Sequence, residues 1–363
     1  MPHLKKAIVL FKYRSSWEHF LLDKLSHSFN INVIYLDELI RRYGFSTSIS
    51  EINALVRNGK IEFIFIDAEF YPAVDKQYIE SLSNEVVKIA VYFDDILMHD
   101  FNAITSSAVD VVLVADPIAA LKYREKGIAS YYFPLESSAK FFKKCSKKSI
   151  DVLFFGDLEK ADRREWVSFL KSAGVSLTVV GPHDGFVSFE ELASIISSSR
   201  IVLDLSKSSN MCVQNLHDAS RRGVDYFCYY YQMKGRAIMA GLSGVCCISE
   251  RTPAIGLLFS EDEVPTFANR QECLNLIQLL LGSEKMLSSC ADKLSSKVSL
   301  LYEDSPLMKR LEPLLAKRDV PLECSNKLPI WYKNKVLVAK LKIALSVFKR
   351  KIQPWAADNS PAR

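Results

Sequence analysis

Short, nearly continuous apolar runs recur along the chain, and each is followed by a stretch in which apolar positions fall at helical spacing. The runs Lys5–Phe11, Ile31–Leu36, Ile61–Ile66, Val86–Phe93, Val109–Val114 and Gly127–Phe133 read as strands. Helices are predicted between them, one capped by Ser15 or Ser16 and reaching about Ser28, another over Asp37–Gly44. A second series follows: strands at Ile150–Phe155, Val175–Val180, Ile201–Leu205 and Val245–Ile248, and helices at Arg163–Ala173, Ser188–Ser198 and Arg270–Leu281. Further helices are predicted at Lys285–Leu301 and Pro306–Leu315, after a loop at Glu261–Phe267. Strands that are apolar throughout must be covered on both faces, so the pattern predicts parallel sheets wrapped in helices, a doubly wound α/β class.

Between the two series, residues 134–149 are polar and lysine-rich, with Lys140, Lys143, Lys144, Lys147 and Lys148, and read as a linker. The predicted organisation is a first Rossmann-like domain over 1–133, a second over 150–315, and a basic amphipathic tail over 316–363. A length of 363 residues and 49% hydrophobic content suit two such cores. The eight cysteines form no Cys-x-x-Cys pair and have no histidine at zinc spacing, so they read as reduced structural thiols, and no metal site is expected. Reduced thiols predict a cytoplasmic protein, and no apolar run approaches the ~20 residues that span a bilayer, so no membrane crossing is expected. The net charge of +5 is unevenly spread: Lys327 to Lys351 holds eight Lys or Arg and no Asp or Glu, leaving the remainder net negative. That distribution argues against nucleic acid as a partner.

In parallel sheets the loops after the carboxyl ends of strands form the ligand crevice. In the first half those positions carry Tyr13, Arg14, Asp67, Glu69, Asp94, Asp95 and His99. Asp94, Asp95 and His99 are the candidate catalytic set, one of them acting as base on an acceptor hydroxyl. The adjacent carboxylates are not expected to share a metal, because neighbouring residues on a strand end point opposite ways. Lys5 to Ser16 contains no glycine, so the Gly-rich turn of a dinucleotide enzyme is absent.

In the second half, Tyr231 to Phe259 orders its residues as cation (Lys234, Arg236), short helix, small-residue turn (Gly241, Gly244), apolar strand and acid (Glu250). The stretch resembles the nucleotide-sugar-binding segment of the CgeB-like glycosyltransferases, in which Lys-x-Arg-x-Phe-Glu leads through a small-residue turn to a strand and an acidic residue. Lys234, Arg236, Gly244 and Glu250 fall on that pattern, and Gly156 stands where the family places its Phe-x-Gly. The family's Phe-Glu pair is replaced by Ile238 and Met239, and Tyr231 stands where related retaining enzymes carry an acid. The resemblance runs loosely from Lys88 to Leu281. It implies a GT-B fold, two Rossmann-like domains facing each other across a cleft, with a nucleotide-sugar as donor substrate, no cofactor and no metal requirement. It also implies Gly156, Tyr231, Lys234, Arg236, Gly244 and Glu250 at the donor, and hexosyl transfer to a glycan or lipid-linked saccharide. The missing acidic pair keeps a second reading open, a catalytically silent GT-B module that binds a glycan or a partner protein. Asn210 to Tyr230, dense in Asn, Gln, Arg and Tyr, reads either as a donor-side segment stacking on the base or as an amphipathic helix.

Within the tail, Leu337, Leu341, Leu345, Phe348 and Ile352 fall near one helical face among lysines, with Trp331, Tyr332 and Trp355 flanking. Residues 331–355 therefore read either as an interfacial helix on an anionic membrane, here the inner face, or as a cross-over helix packed on the first domain.

Overall fold

A computed structural model describes residues 4–15, 18–67, 69, 71–95, 99–134, 138–159, 162–182, 185, 187–206, 233, 235–303, 307–309, 311 and 328–358. The chain divides into two compact units, one of Met1–Leu113, Lys122–Tyr131 and Leu311–Arg363, the other of Val114–Leu121 and Tyr132–Arg310. Tyr231, Lys234, the segment Asn210 to Tyr230 and most of Pro306 to Leu315 lie outside the described residues.

Six strands form the first sheet: β1 (Lys5–Phe11), β2 (Phe29–Tyr35), β3 (Phe63–Asp67), β4 (Val87–Tyr92), β5 (Val111–Val114) and β6 (Ser130–Tyr132), in the order β2-β1-β3-β4-β5-β6. β1 pairs in parallel with β2 and β3, and β3 with β4. Burial of both faces explains the unbroken apolar runs: Ala7 to Leu10 and Ile64 to Ile66 are fully buried. Around the sheet lie α1 (Glu18–Ser26), α2 (Leu36–Tyr43), α3 (Phe45–Gly59), α4 (Lys76–Glu80), α5 (His99–Ser106) and α6 (Pro117–Glu125). α3 was not expected. Its sequence is rich in Ser and Thr, which favour caps and turns over helix interiors, yet Ser48, Ile52 and Val56 form a buried stripe at four-residue spacing. Gly44, at φ 81°, separates α2 from α3.

The second sheet is parallel throughout, with β7 (Ile150–Phe155), β8 (Leu177–Val180), β9 (Ser199–Asp204), β10 (Cys246–Glu250) and β11 (Thr266–Phe267) in the order β11-β10-β9-β7-β8. Its helices are α7 (Arg163–Ser172), α8 (Phe189–Ser197), α9 (Arg236–Leu242), α10 (Pro253–Leu258), α11 (Arg270–Leu281) and α12 (Glu284–Glu303). Several begin at side-chain caps: Ser188 accepts from Glu191 N, Thr252 from Ile255 N with Pro253 following, and Asn269 from Glu272 N. Val152, Phe154, Ile201, Leu203, Cys246 and Ile248 pack with Trp166, Leu170, Phe267 and Ile277 as the core. The end of the expected loop at Glu261–Phe267 is the edge strand β11, paired with Ser249 and Glu250.

The last helix, α13 (Ile330–Asp358), packs on the first unit. The Tyr332 hydroxyl accepts from Lys76 N at 3.0 Å and lies 3.1 Å from Thr105 Oγ1, and its ring stacks on Phe101 at 4.7 Å. Lys340 pairs with Asp75 at 3.0 Å, and Arg41 donates to Ser346 Oγ at 2.6 Å. Burial pushes the Tyr332 phenol up to about 12.

Candidate functional site

A doubly wound sheet offers a ligand its crevice where successive strands leave the first strand in opposite directions. In the second unit β8 lies on one side of β7 and β9 on the other, so the switch point is the carboxyl end of β7 and β9. The register sets Leu153 opposite Val202 and Ser249 opposite Asp204, which brings the ends of β7, β9 and β10 level.

A buried ion pair closes that edge. Asp204 is fully buried and accepts from Arg236 Nη1 at 2.8 Å, from Ser206 Oγ at 2.8 Å and from Ser249 Oγ at 3.0 Å. Arg236 also donates Nε–H to Phe155 O at 2.8 Å, and its guanidinium lies over the rings of Phe154 and Phe155. Arg236 therefore ties the ends of β7 and β9 together, Asp204 extends the tie to Ser249 on β10, and the hydrogen bonds of Arg236 run into the protein. Gly156 makes this possible: its φ of 140° suits glycine alone, and a Cβ there would collide with Arg236 Nη2. The close approach expected of a ligand at Gly156 is made by Arg236 itself.

Glu250, at the end of β10, accepts from Ser206 N at 2.7 Å and so holds the turn that follows β9. Arg163, expected only as the start of a helix, is buried beside Arg236 and donates to Asp157 O at 3.0 Å and Leu205 O at 2.9 Å. Burial, then the neighbouring Arg236, lowers its guanidinium to about 10. Its Nε has no hydrogen-bond partner among the described residues. Gly244 stands apart from this group. It lies at the amino end of β10, at φ 63°, in the turn from α9, where a Cβ would meet the Lys144 side chain. That makes it a turn residue rather than part of the carboxyl edge. Ile238 and Met239 are buried in α9.

The first unit has its own switch point between β1 and β3, with Phe11 opposite Asp67. Lys12 Nζ lies 4.0 Å from Asp67 and donates to Glu69 O at 3.1 Å. Burial raises Asp67 to about 6 despite Lys12. Glu69 accepts from the backbone N–H groups of Phe93 and Asp94 at 2.9 and 2.6 Å, and burial, reinforced by Asp94, pushes it well above the usual carboxylate range. Arg14 is drawn away to Glu38 at 2.8 Å and over Tyr35.

Asp94 and Asp95 enter different networks, Asp94 half-buried beside Glu69 and Asp95 fully buried below α5. Asp95 Oδ2 lies 2.6 Å from His99 Nδ1, and Oδ1 accepts from Asn102 Nδ2 at 2.9 Å and from the Tyr123 hydroxyl. His99 and Asn102 stand three residues apart in the first turn of α5, on one face of the helix, and Asp95 precedes His99 by four positions. The Tyr123 ring is 4.6 Å from His99, and burial with Asp95 pushes its phenol upward. An ionised Asp95 makes His99 Nδ1 the donor, leaving Nε2 as the acceptor nitrogen. Nε2 is buried and has no hydrogen-bond partner among the described residues. The contact with Asp95 fixes the orientation of the imidazole ring.

Residues 161–302 match the family model described as Glycosyl transferase-like. No curated protein matches the chain. Among solved structures the chain is similar to the Anabaena protein Alr3699/HepE in complex with UDP-glucose, with 9% identity, 86% of this chain and 99% of that one covered, and a TM-score of 0.59. It is also similar to sucrose-phosphate synthase (tll1590) from Thermosynechococcus elongatus, with 11% identity, coverage of 87% and 100%, and a TM-score of 0.55. A third likeness is to AviGT4, a glycosyltransferase involved in Avilamycin A biosynthesis, with 11% identity, coverage of 87% and 99%, and a TM-score of 0.51. At these identities the likeness shows the fold alone: two parallel sheets, each flanked by helices, a two-domain α/β fold of the GT-B class.

Proposed function

We propose that the protein is a glycosyltransferase of the CgeB-like kind that moves a sugar, a hexose by the resemblance, from a nucleotide-sugar to a saccharide or lipid-linked saccharide. The observation that carries the reading is the coincidence of two features. The Glycosyl transferase-like match falls on the second unit, and that unit's switch point gathers Gly156, Asp204, Arg236 and Glu250. The complex of Alr3699/HepE with UDP-glucose makes a uridine diphosphate sugar the first donor to try.

In this reading the second unit holds the donor. By the resemblance Lys234 and Tyr231 are the candidate groups for the diphosphate and the base, while Arg236 and Glu250 act as positioning residues that keep the strand ends fixed around Gly156. The first unit activates the acceptor. His99 Nε2 takes the proton of the attacking hydroxyl, and Asp95 stabilises the imidazolium that forms. The hydroxyl oxygen bonds to the anomeric carbon as the bond to the diphosphate breaks, and cationic groups beside the diphosphate stabilise the charge it gains. Asp94 lies outside this relay. No observation favours the catalytically silent module.

The test is turnover of a uridine diphosphate sugar with saccharide acceptors by the wild type and by His99→Gln. General-base loss lowers kcat by about 10²–10⁴-fold with donor affinity unchanged, and Asp95→Asn falls in the same direction. Full turnover in His99→Gln removes His99 from the mechanism. Absence of turnover in the wild type across nucleotide-sugars removes the transferase reading.

A further inference from the structure

Helix α13 carries two apolar faces, and the fold uses one. Tyr332, Val336 and Ile343 are buried against the first unit, together with the Lys340–Asp75 and Arg41–Ser346 contacts. On the other side Leu337, Leu341, Leu345 and Phe348 recur every three or four positions, a single helical stripe, and stand 57%, 53%, 59% and 62% exposed. Val338 and Ile330 are exposed as well. Lys333 and Lys342 are exposed on the same helix. The sequence continues with Lys349, Arg350 and Lys351 and has no acidic residue from Lys327 to Lys351. Four large apolar side chains in one row on a water-facing helix call for an occupant.

We propose that this stripe lies on an anionic membrane surface, so that α13 serves at once as a cross-over helix on one face and as an interfacial helix on the other. Charge decides among occupants. A second copy of the chain on a two-fold axis would set one basic helix, with Lys333 and Lys342 exposed, against another, whereas anionic headgroups neutralise those charges while the stripe enters the acyl boundary. Lysine side chains beside such a stripe extend their stems along the apolar surface and keep their ammonium groups among the headgroups. The helix lies in the plane of the surface. It is 29 residues long, and no helix among the described residues is long and apolar enough to cross a bilayer. The inference rests on the tail alone and stands apart from the glycosyl-transfer reading.

The experiment is co-sedimentation of the full chain with vesicles of phosphatidylglycerol and phosphatidylcholine in equal parts, and with phosphatidylcholine alone. Wild type is expected on the anionic vesicles, with binding that falls as salt is raised. Leu341→Glu and Phe348→Glu each lower the partition coefficient by about tenfold or more, as expected for loss of one buried large apolar side chain. Lys333→Glu with Lys342→Glu lowers it as well. Because all four side chains are exposed, melting temperatures stay at the wild-type value, which separates lost membrane binding from lost folding. Failure of wild type to bind anionic vesicles overturns the proposal, as does equal binding to neutral ones or unchanged binding by both single variants. Concentration-dependent dimerisation of wild type in sedimentation velocity, abolished by Leu341→Glu, would assign the stripe to a second copy instead.

Discussion

Replacing Arg236 with methionine keeps an apolar stem over Phe154 and Phe155 but strips a fully buried Asp204 of its cation. The hydroxyls of Ser206 and Ser249 still donate to Oδ2, so the loss is concentrated on Oδ1, where Arg236 Nη1 stood at 2.8 Å. Removing one partner of a buried ion pair costs about 3–5 kcal/mol, since the remaining charge has neither water nor a counter-ion. For a unit of this size each kcal/mol moves the transition by about 2–4 °C, so a fall of ~6–20 °C is expected in the calorimetric transition of the second unit. Arg236→Met with Asp204→Asn removes both charges and should recover at least half of that. A cost below ~1 kcal/mol, or a double variant no more stable than the single, would show that the pair does not hold this edge.

Gly156→Ala should act through the same contact. Its φ of 140° costs an alanine about 1–3 kcal/mol, and the added Cβ displaces the Arg236 guanidinium, whereas Gly174→Ala, at φ 83° with open space around it, should cost less by thermal melting. Asp67 provides a pH test in the first unit. Its folded pKa of about 6 exceeds the ordinary value, so the native state holds a proton that the unfolded chain has released, and stability falls as pH rises from ~4 to ~6, by at most ~3 kcal/mol. Asp67→Asn should flatten that slope in urea denaturation and stabilise the protein at pH ~7; an unchanged slope would mean that Asp67 is not the group responsible.

The parallel architecture was legible because its cause is local. Strands covered on both faces must be apolar throughout, and Ile150–Phe155 and Arg270–Leu281 fall where the pattern puts them. α3 was hidden because its stripe includes Ser48, a residue that gives no hydrophobic signal. The Asp95–His99 relation could be read from its four-residue spacing, but Tyr123, which completes the cluster, reaches it only through the fold. The edge of the second sheet was legible in part. Arg236 and Gly156 stand out in the sequence as groups that would face a ligand, yet Arg236 turns to Asp204 and packs against Gly156. Asp204 sits 32 residues from Arg236 at the end of an apolar strand, the position type that drew notice to Asp67 and Asp94 in the first half. Glu250 is tied to Ser206 by a hydrogen bond that spans 44 residues, which no local pattern announces.

The most direct test of the account is a calorimetric titration of the full-length chain with UDP and a UDP-sugar, run beside a thermal melt at the same concentrations. The account predicts a single saturable site and a stabilisation of ~2.7 kcal/mol when ligand stands at 100 times its dissociation constant, with both lost or weakened in Gly156→Ala. Absence of heat and of any melting shift with uridine, guanosine, adenosine and thymidine diphosphates alike would contradict it.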